Sequence, residues 1–252
     1  MQKFTHAIVR QPGKNFADGI TTAKLGKPSY EIALQQHADY CEALKKCGLK
    51  VTVLEADEKY PNGCFVEDTA IVTNEAAIIA KPGDNARLGE EQRISNVLSE
   101  HRKLEFIQLP GCVDGGDILR VDNHFYIGMS ARTNNEGAKQ LSLILTKYGY
   151  TSSQVPVKSV LHLKTGITYL GNNNFISVGE FLPLFGKSNV IALDKDESYS
   201  ANCLLINDFL LVPKGYPKAK KAITDLGYKI IEVPMTEFEK MNGGLTCLSL
   251  LF

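Results

Sequence analysis

A period near fifty residues constrains this chain more than any other feature of it. Helix patterns stand at Tyr30–Cys47, Leu88–Glu100, Asn134–Tyr148 and Pro217–Leu226. Their apolar residues recur at three- and four-residue spacing, as in Ala33, His37, Tyr40 and Leu44, or Ala138, Leu141, Ile144 and Leu145. Gly48, Gly149 and Gly227 stand where helix stops are expected. Between the helices lie paired apolar strands: Thr69–Thr73 with Ala76–Ala80, Asp117–Val121 with Phe125–Gly128, Ile167–Leu170 with Phe175–Val178, and Cys203–Ile206 with Phe209–Val212. Polar turns such as Asn74-Glu75 and Asn207-Asp208 join each pair. A polar landmark precedes the first strand of each pair, and another the final strand: Asp68, Asp114, His162, Asn202 and Cys247, separated by 46, 48, 40 and 45 residues. A hairpin-plus-helix unit cannot bury its own apolar face, so such units stack, and about five of them suggest a ring. Glu180–Ser198 lacks a helical pattern, which makes the fourth unit the weakest. The fold class expected is α/β, a pseudo-fivefold repeat about a central channel. No linker-like segment divides it, so residues 1–252 read as a single domain.

Composition sets the limits on function. Lysine plus arginine equals aspartate plus glutamate at 28 each, so no overall field draws in nucleic acid or an anionic membrane. No apolar run approaches the ~18 residues of a membrane span, and the start of the chain reads as a first strand rather than a signal peptide. The expected setting is the cytoplasm. The six cysteines are scattered and read as reduced thiols. Neither C-x-x-C nor H-E-x-x-H occurs, which argues against a structural zinc site, and no phosphate-cradling glycine motif is present.

If the units are arranged radially, the landmarks converge. One cysteine, one histidine and two carboxylates then share a pocket. A cysteine with a histidine is a nucleophile with an acid–base partner. A carboxylate beside the histidine orients it and favours its protonated form. A further acid fits a cationic substrate. Carboxylates also raise a thiol's pKa, which suits a site whose sulfur becomes reactive only when a cation arrives and does not suit a protease. Blander readings exist for each residue. His162 could be a core histidine, Asp114 and Asp117 turn formers around Gly115-Gly116, and Arg87 and Arg132 solvated surface residues. Glu67-Asp68 sit among apolar strand residues, where charge is costly unless paired. The two glycines before Cys247 would let a ligand come close.

Five motifs in order carry a specific likeness: F-V-E-D at Phe65–Asp68, D-G-G-D at Asp114–Asp117, S-A-R-T-N at Ser130–Asn134, L-H-L-K-T-G at Leu161–Gly166 and G-G-L-T-C-L-S-L at Gly243–Leu250. Over essentially its whole length the chain resembles the dimethylarginine dimethylaminohydrolases. These are penteins, the guanidino-group-modifying enzymes that also include arginine deiminases and amidinotransferases. In deiminases an acid usually stands two residues after the histidine, where this chain has Lys164. The resemblance implies a five-bladed α/β propeller with Cys247 as nucleophile, His162 as acid and base, and Asp114 orienting the histidine. It implies that Asp68 and Glu67 grip the guanidinium, Arg87 and Arg132 hold the substrate carboxylate, and the carbonyls of Ile20 and Met241 receive its amino group. The segment Phe16–Pro28 would be a closing loop. No metal or organic cofactor is implied, and family members are often monomers or homodimers.

Two positions depart from the family pattern. Asn62 stands where an aspartate usually contacts the substrate ammonium, and Asn242 replaces a frequent aspartate before the cysteine. The expected reaction is hydrolysis of dimethylarginine to citrulline and dimethylamine through a covalent thiouronium-type intermediate. The departures leave open a guanidino acid without the amino group, or arginine-deiminase-like turnover of an unmethylated guanidine. A rival of another class is a catalytically idle propeller that binds arginine-like ligands or a protein partner.

Overall fold

The computed structural model describes residues 3–186 and 188–252. Five three-stranded sheets repeat one plan. An inner strand pairs antiparallel with a middle strand, which pairs parallel with an outer strand. The inner and middle strands are Ala70–Val72 with Ala76–Ile79, Ile118–Val121 with His124–Met129, Ile167–Gly171 with Asn174–Ser177, and Leu204–Ile206 with Phe209–Pro213. In the remaining sheet Leu250–Leu251 pairs with His6–Arg10, Ala7 opposite Leu251, so the two ends of the chain close the ring. All five inner strands line one cavity of about 220 Å³. The architecture is the expected five-bladed α/β propeller.

The tight turns explain the hairpins. Asp122, Asn172, Asn173 and Asn207 all adopt positive φ, between 51° and 60°, the backbone that two-residue hairpin turns demand and asparagine tolerates best after glycine. The outer strands Lys50–Leu54, Lys103–Phe106, Thr151–Pro156, Asn189–Ala192 and Lys229–Val233 were not part of the expected pattern. They lie at sheet edges and are largely exposed or half-buried, so their sequences lack a clean apolar run.

Helices connect middle to outer strand in four blades: Tyr30–Lys46, Glu91–Ser99, Asn135–Lys147 and Pro217–Asp225. The first buries Ala33, His37, Tyr40 and Leu44, the stripe its periodicity predicts. Ser29 caps it, accepting from Ile32 N at 3.3 Å. The helix expected from Leu88 begins later, at Glu91, because a 3₁₀ turn occupies Asn85–Arg87. In the fourth blade a 3₁₀ segment at Gly179–Phe185 replaces the α-helix, with Pro183 inside it withholding an N–H.

A short helical turn precedes each inner strand, and the polar landmarks sit at these turns. They are Val66–Thr69, Gly115–Asp117, Leu163–Gly166, Lys195–Ala201 and Thr246–Leu248. Each turn ends in an extended residue, or one close to it, that starts the strand, so the preceding side chains are set at the same end of every blade. No helix among the described residues is long and apolar enough to cross a membrane.

Candidate active site

Tyr40 fixes the turn that carries the candidate nucleophile. Buried in the first helix, its hydroxyl donates to Leu245 O at 2.9 Å and bonds Ser249 Oγ at 2.7 Å, one residue group on each side of Cys247. Asn202 holds the same turn from the neighbouring blade: its Oδ1 accepts Thr246 N at 3.0 Å and its Nδ2 donates to Thr246 Oγ1 at 3.0 Å and Lys164 O at 2.9 Å. The glycines before Cys247 serve this packing. A Cβ on Gly244 would lie 2.5 Å from Asn202 Cγ, and one on Gly243 would lie 2.2 Å from the Phe65 ring. The sulfur accepts Gly244 N at 3.3 Å.

One cavity is lined by Ile20, Asn62, Asp68, Arg87, Arg132, His162, Met241 and Cys247 together with Phe65, Leu161, Asn242 and Gly243. Eight of the ten residues that the sequence proposed therefore meet at one place. The cavity measures only about 30 Å³, the space of a water or two and far less than an arginine occupies.

His162 is buried, and its Nε2 lies 2.9 Å from Asp114 Oδ2, so Nδ1 is the ring nitrogen that this carboxylate does not engage. Asp114 stands behind the histidine, fully buried, its other oxygen accepting Gly83 N at 2.7 Å. The imidazole packs against Gly116: a Cβ there would sit 2.7 Å from Nδ1, so no other residue fits without moving the ring. Burial disfavours a charged ring, but Asp68, the Asp114 hydrogen bond and Asp117 outweigh it and hold His162 at about 9. Asp117, read from sequence only as a turn former, is a buried hub that accepts Ser130 Oγ at 2.6 Å, Thr133 Oγ1 at 2.7 Å and Leu163 N at 3.0 Å. It ties the S-A-R-T-N segment to the histidine turn. Burial, followed by Glu67 and Asp68, pushes the Cys247 thiol far above its usual range. At neutral pH the resting site therefore holds a neutral thiol and an imidazolium.

Asp68 Oδ1 accepts Gly116 N at 2.9 Å and Oδ2 accepts Arg87 Nη1 at 2.6 Å. Burial would raise this carboxyl, but His162 and Arg87 overcome the effect and hold it down at about 2. Arg87 is buried, not the solvated residue that its blander reading allowed. Four of its five N–H groups are engaged, by Glu90 twice, by Phe65 O and by Asp68. It first serves to clamp Asp68, with one Nη1 hydrogen left over. Arg132 is freer, with Nη2 at 3.2 Å from Asp84 and Nη1 at 4.0 Å from Asp114. Ligand-type atoms of Asp68, Asp114 and His162 lie within 4.8 Å of one another. Both carboxylates and the ring Nε2 are already used in the protein bonds just described.

Glu67 requires a correction. It does not line this cavity but the one on the far side of the channel. Its oxygens are taken by Lys164 Nζ at 2.5 Å and Thr246 Oγ1 at 2.8 Å, which meets the cost of burying its charge. Glu67 thus stands behind Asp68 and Cys247 rather than reaching towards a ligand. Lys164, singled out only for what it replaces, is the partner that makes this possible.

The two departures from pattern share a task. Asn62 Oδ1 accepts Ile20 N at 2.7 Å while its Nδ2 donates to Ile20 O at 3.2 Å. Asn242 Oδ1 accepts Thr21 Oγ1 at 2.8 Å, Thr22 N at 2.6 Å and Ala23 N at 3.2 Å. Both amides hold the segment expected to close over the site.

A profile of the family described as "N,N dimethylarginine dimethylhydrolase, eukaryotic" matches residues 18–249. The chain is 45% identical to the N(G),N(G)-dimethylarginine dimethylaminohydrolase of Pseudomonas aeruginosa, over 99% of this chain and all of that one. It is 32% identical to the enzyme of the same name from Streptomyces coelicolor, over 96% of this chain and 95% of that one. A solved structure of the Pseudomonas protein, a cysteine-to-serine mutant complexed with citrulline, superposes with a TM-score of 0.98 at 44% identity, each chain covered completely. The N-terminal domain of cyanobacterial ArgZ, at 17% identity and a TM-score of 0.88 over 99% of this chain and 97% of that one, shares the fold. A repeat that closes into five blades, a cysteine and a carboxylate-backed histidine in one cavity, and these full-length likenesses lead to one place: the chain belongs to the dimethylarginine dimethylaminohydrolase family.

Proposed function

We propose that this protein hydrolyses N-methylated arginine, releasing citrulline and an alkylamine. The observation that carries the reading is the meeting of Cys247, His162 and Asp68 in one cavity, with Asp114 bonded to the histidine from behind. A planar cation entering there meets an ionised Asp68, which accepts its N–H groups through charge-assisted hydrogen bonds. Arg132, with the spare hydrogen of Arg87, holds the carboxylate, and the carbonyl of Met241 accepts the ammonium. Positive charge beside the sulfur favours the thiolate, and the thiol proton passes to solvent.

The thiolate attacks the guanidinium carbon, forming the C–S bond. His162 Nδ1 gives its proton to the methylated nitrogen, the C–N bond breaks, and the neutral amine leaves a thiouronium cation on Cys247. The now neutral imidazole takes a proton from water, whose oxygen adds to the same carbon. The C–S bond then breaks, the sulfur leaves as thiolate, and the second water proton goes to solvent as the ureido group forms. Asp114 keeps the ring oriented throughout and stabilises its charged form.

The test is an assay of ureido product from dimethylarginine with the released amine identified. Dimethylamine is expected, and ammonia instead would point to deiminase-like chemistry. Cys247→Ser should abolish turnover while citrulline still binds. Undiminished turnover in that variant would overturn the mechanism, and binding without turnover in the native protein would favour the idle propeller.

A further inference from the structure

The cavity at Cys247 has a charged wall and an uncharged one. Asp68, Arg87, Arg132 and His162 form the first, and Ile20, Asn62, Met241 and Asn242 contribute the second. Among the described residues lining the cavity, Asp68 is the only carboxylate, and it is bonded to Arg87 and to Gly116 N. The uncharged wall is continuous. Asn62 is joined to Ile20 by two hydrogen bonds, and Asn242 Oδ1 accepts from the next three residues of the covering segment, Thr21, Thr22 and Ala23. Asn62 is also packed in place: it is buried, and a Cβ on Gly19 would lie 2.8 Å from its Oδ1. Both ends of the Asn62 amide, the Ile20 peptide groups and Asn242 Oδ1 therefore have partners within the protein before any ligand arrives.

A substrate with its guanidinium on Asp68 and its carboxylate on Arg132 turns its α-ammonium to the uncharged wall. We propose that this wall makes the ammonium dispensable, so that the substrates are N-methylated guanidino carboxylates with or without an α-amino group. This inference deepens the functional reading above and rests on it for how the substrate lies. A site built to hydrogen-bond a substrate group rejects an analogue lacking that group because its own polar atoms are left unpaired. Here the amides of Asn62 and Asn242 are bonded to the covering segment, so removing the ammonium orphans neither. An ammonium also gives up hydration on entering, and neutral dipoles return less of that cost than a carboxylate would. The reaction makes no demand on it, since the C–S bond forms and the C–N bond breaks at the other end of the substrate. Asn62 is the specificity-determining residue: its amide matches both the N–H and the carbonyl of Ile20 and puts no charge on this wall.

Binding tests this independently of turnover. Affinities of citrulline and of 5-ureidopentanoate, which is citrulline without its amino group, are measured by calorimetry on the Cys247→Ser protein. The two should lie within about tenfold of each other, and a larger loss on removing the amino group overturns the proposal. Asn62→Asp in the same background places a carboxylate on the wall and should shift the ratio at least about tenfold towards citrulline. Any loosening of the covering segment in that variant acts on both ligands and cancels in the ratio. A ratio unmoved by Asn62→Asp overturns the role of Asn62. Should either ligand bind too weakly to measure, kcat/KM of the native protein for dimethylarginine and for 5-(N′,N′-dimethylguanidino)pentanoate gives the same comparison, with the same limits. If the binding ratio holds but the native protein releases no alkylamine from either methylated compound, the hydrolytic reading falls and the indifference to the ammonium stands.

Discussion

Asn62 and Ile20 exchange two hydrogen bonds, side-chain oxygen to backbone N–H at 2.7 Å and side-chain nitrogen to backbone carbonyl at 3.2 Å. An amide matches both groups of one peptide residue, whereas a carboxylate would satisfy the N–H and repel the carbonyl. The Ile20 carbonyl is therefore occupied while the segment is latched. Asn62→Ala should loosen it at a cost of about 1–2 kcal/mol. Amide hydrogen exchange at residues 20–23 is expected to speed up about tenfold, with KM for dimethylarginine rising severalfold and the thermal midpoint little changed. Protection identical to the native protein would show that Asn62 does not hold the loop.

His162 gives a pH prediction with a definite sign. Its folded-state value of about 9 lies above the ordinary 6.5, so the folded protein binds this proton more tightly than the unfolded chain does. The stabilisation is fully present below about 6.5 and is lost as pH climbs through about 9. Unfolding free energy measured by denaturant at several pH values should fall over that window, and His162→Gln should flatten the slope. Asp114→Asn, which removes the hydrogen-bonded carboxylate, should move the alkaline limb of kcat towards neutrality.

Gly116→Ala is expected to damage the chemistry more than the fold. The added Cβ would meet His162 Nδ1 at 2.7 Å and Asp68 Oδ1 at 3.0 Å, and the ring is the part that can turn away. Turnover should drop at least a hundredfold with the thermal midpoint moving only a few degrees. Near-native kcat would show that the imidazole has room the packing denies.

Lys164→Met tests the pair behind the site. It would leave Glu67 buried with only Thr246 as partner, and breaking a buried pair on one side costs about 3–5 kcal/mol. Adding Glu67→Leu should recover most of that loss, which thermal melting of the two variants would measure. Failure of the second change to rescue would mean that Lys164 contributes through its aliphatic stem instead.

Much of this was legible in the chain, for identifiable reasons. The hairpins announced themselves because Asp122, Asn172 and Asn207 sit between apolar runs and take the positive φ such turns need. Cys247, His162, Asp114 and Asp68 could be singled out because polar residues at strand starts recur with the blade. The outer strands are not legible in the chain, since half-solvated edges such as Thr151–Pro156 carry no apolar alternation. The fourth blade's missing helix was visible only as an absence of pattern. What no local reading could supply were the partnerships: Lys164 with Glu67 lies 97 residues apart, and Asn62 with Ile20 lies 42 apart. Those pairs decide that Glu67 supports the site from behind and that the two asparagines act on the covering segment.

The protonated state of Cys247 reaches beyond the reaction itself. Peroxides attack thiolates far faster than thiols, so a sulfur kept neutral by burial and two nearby acids resists conversion to sulfenic acid. Peroxide should therefore inactivate the resting protein more slowly than a protein whose thiolate a bound guanidinium has drawn out.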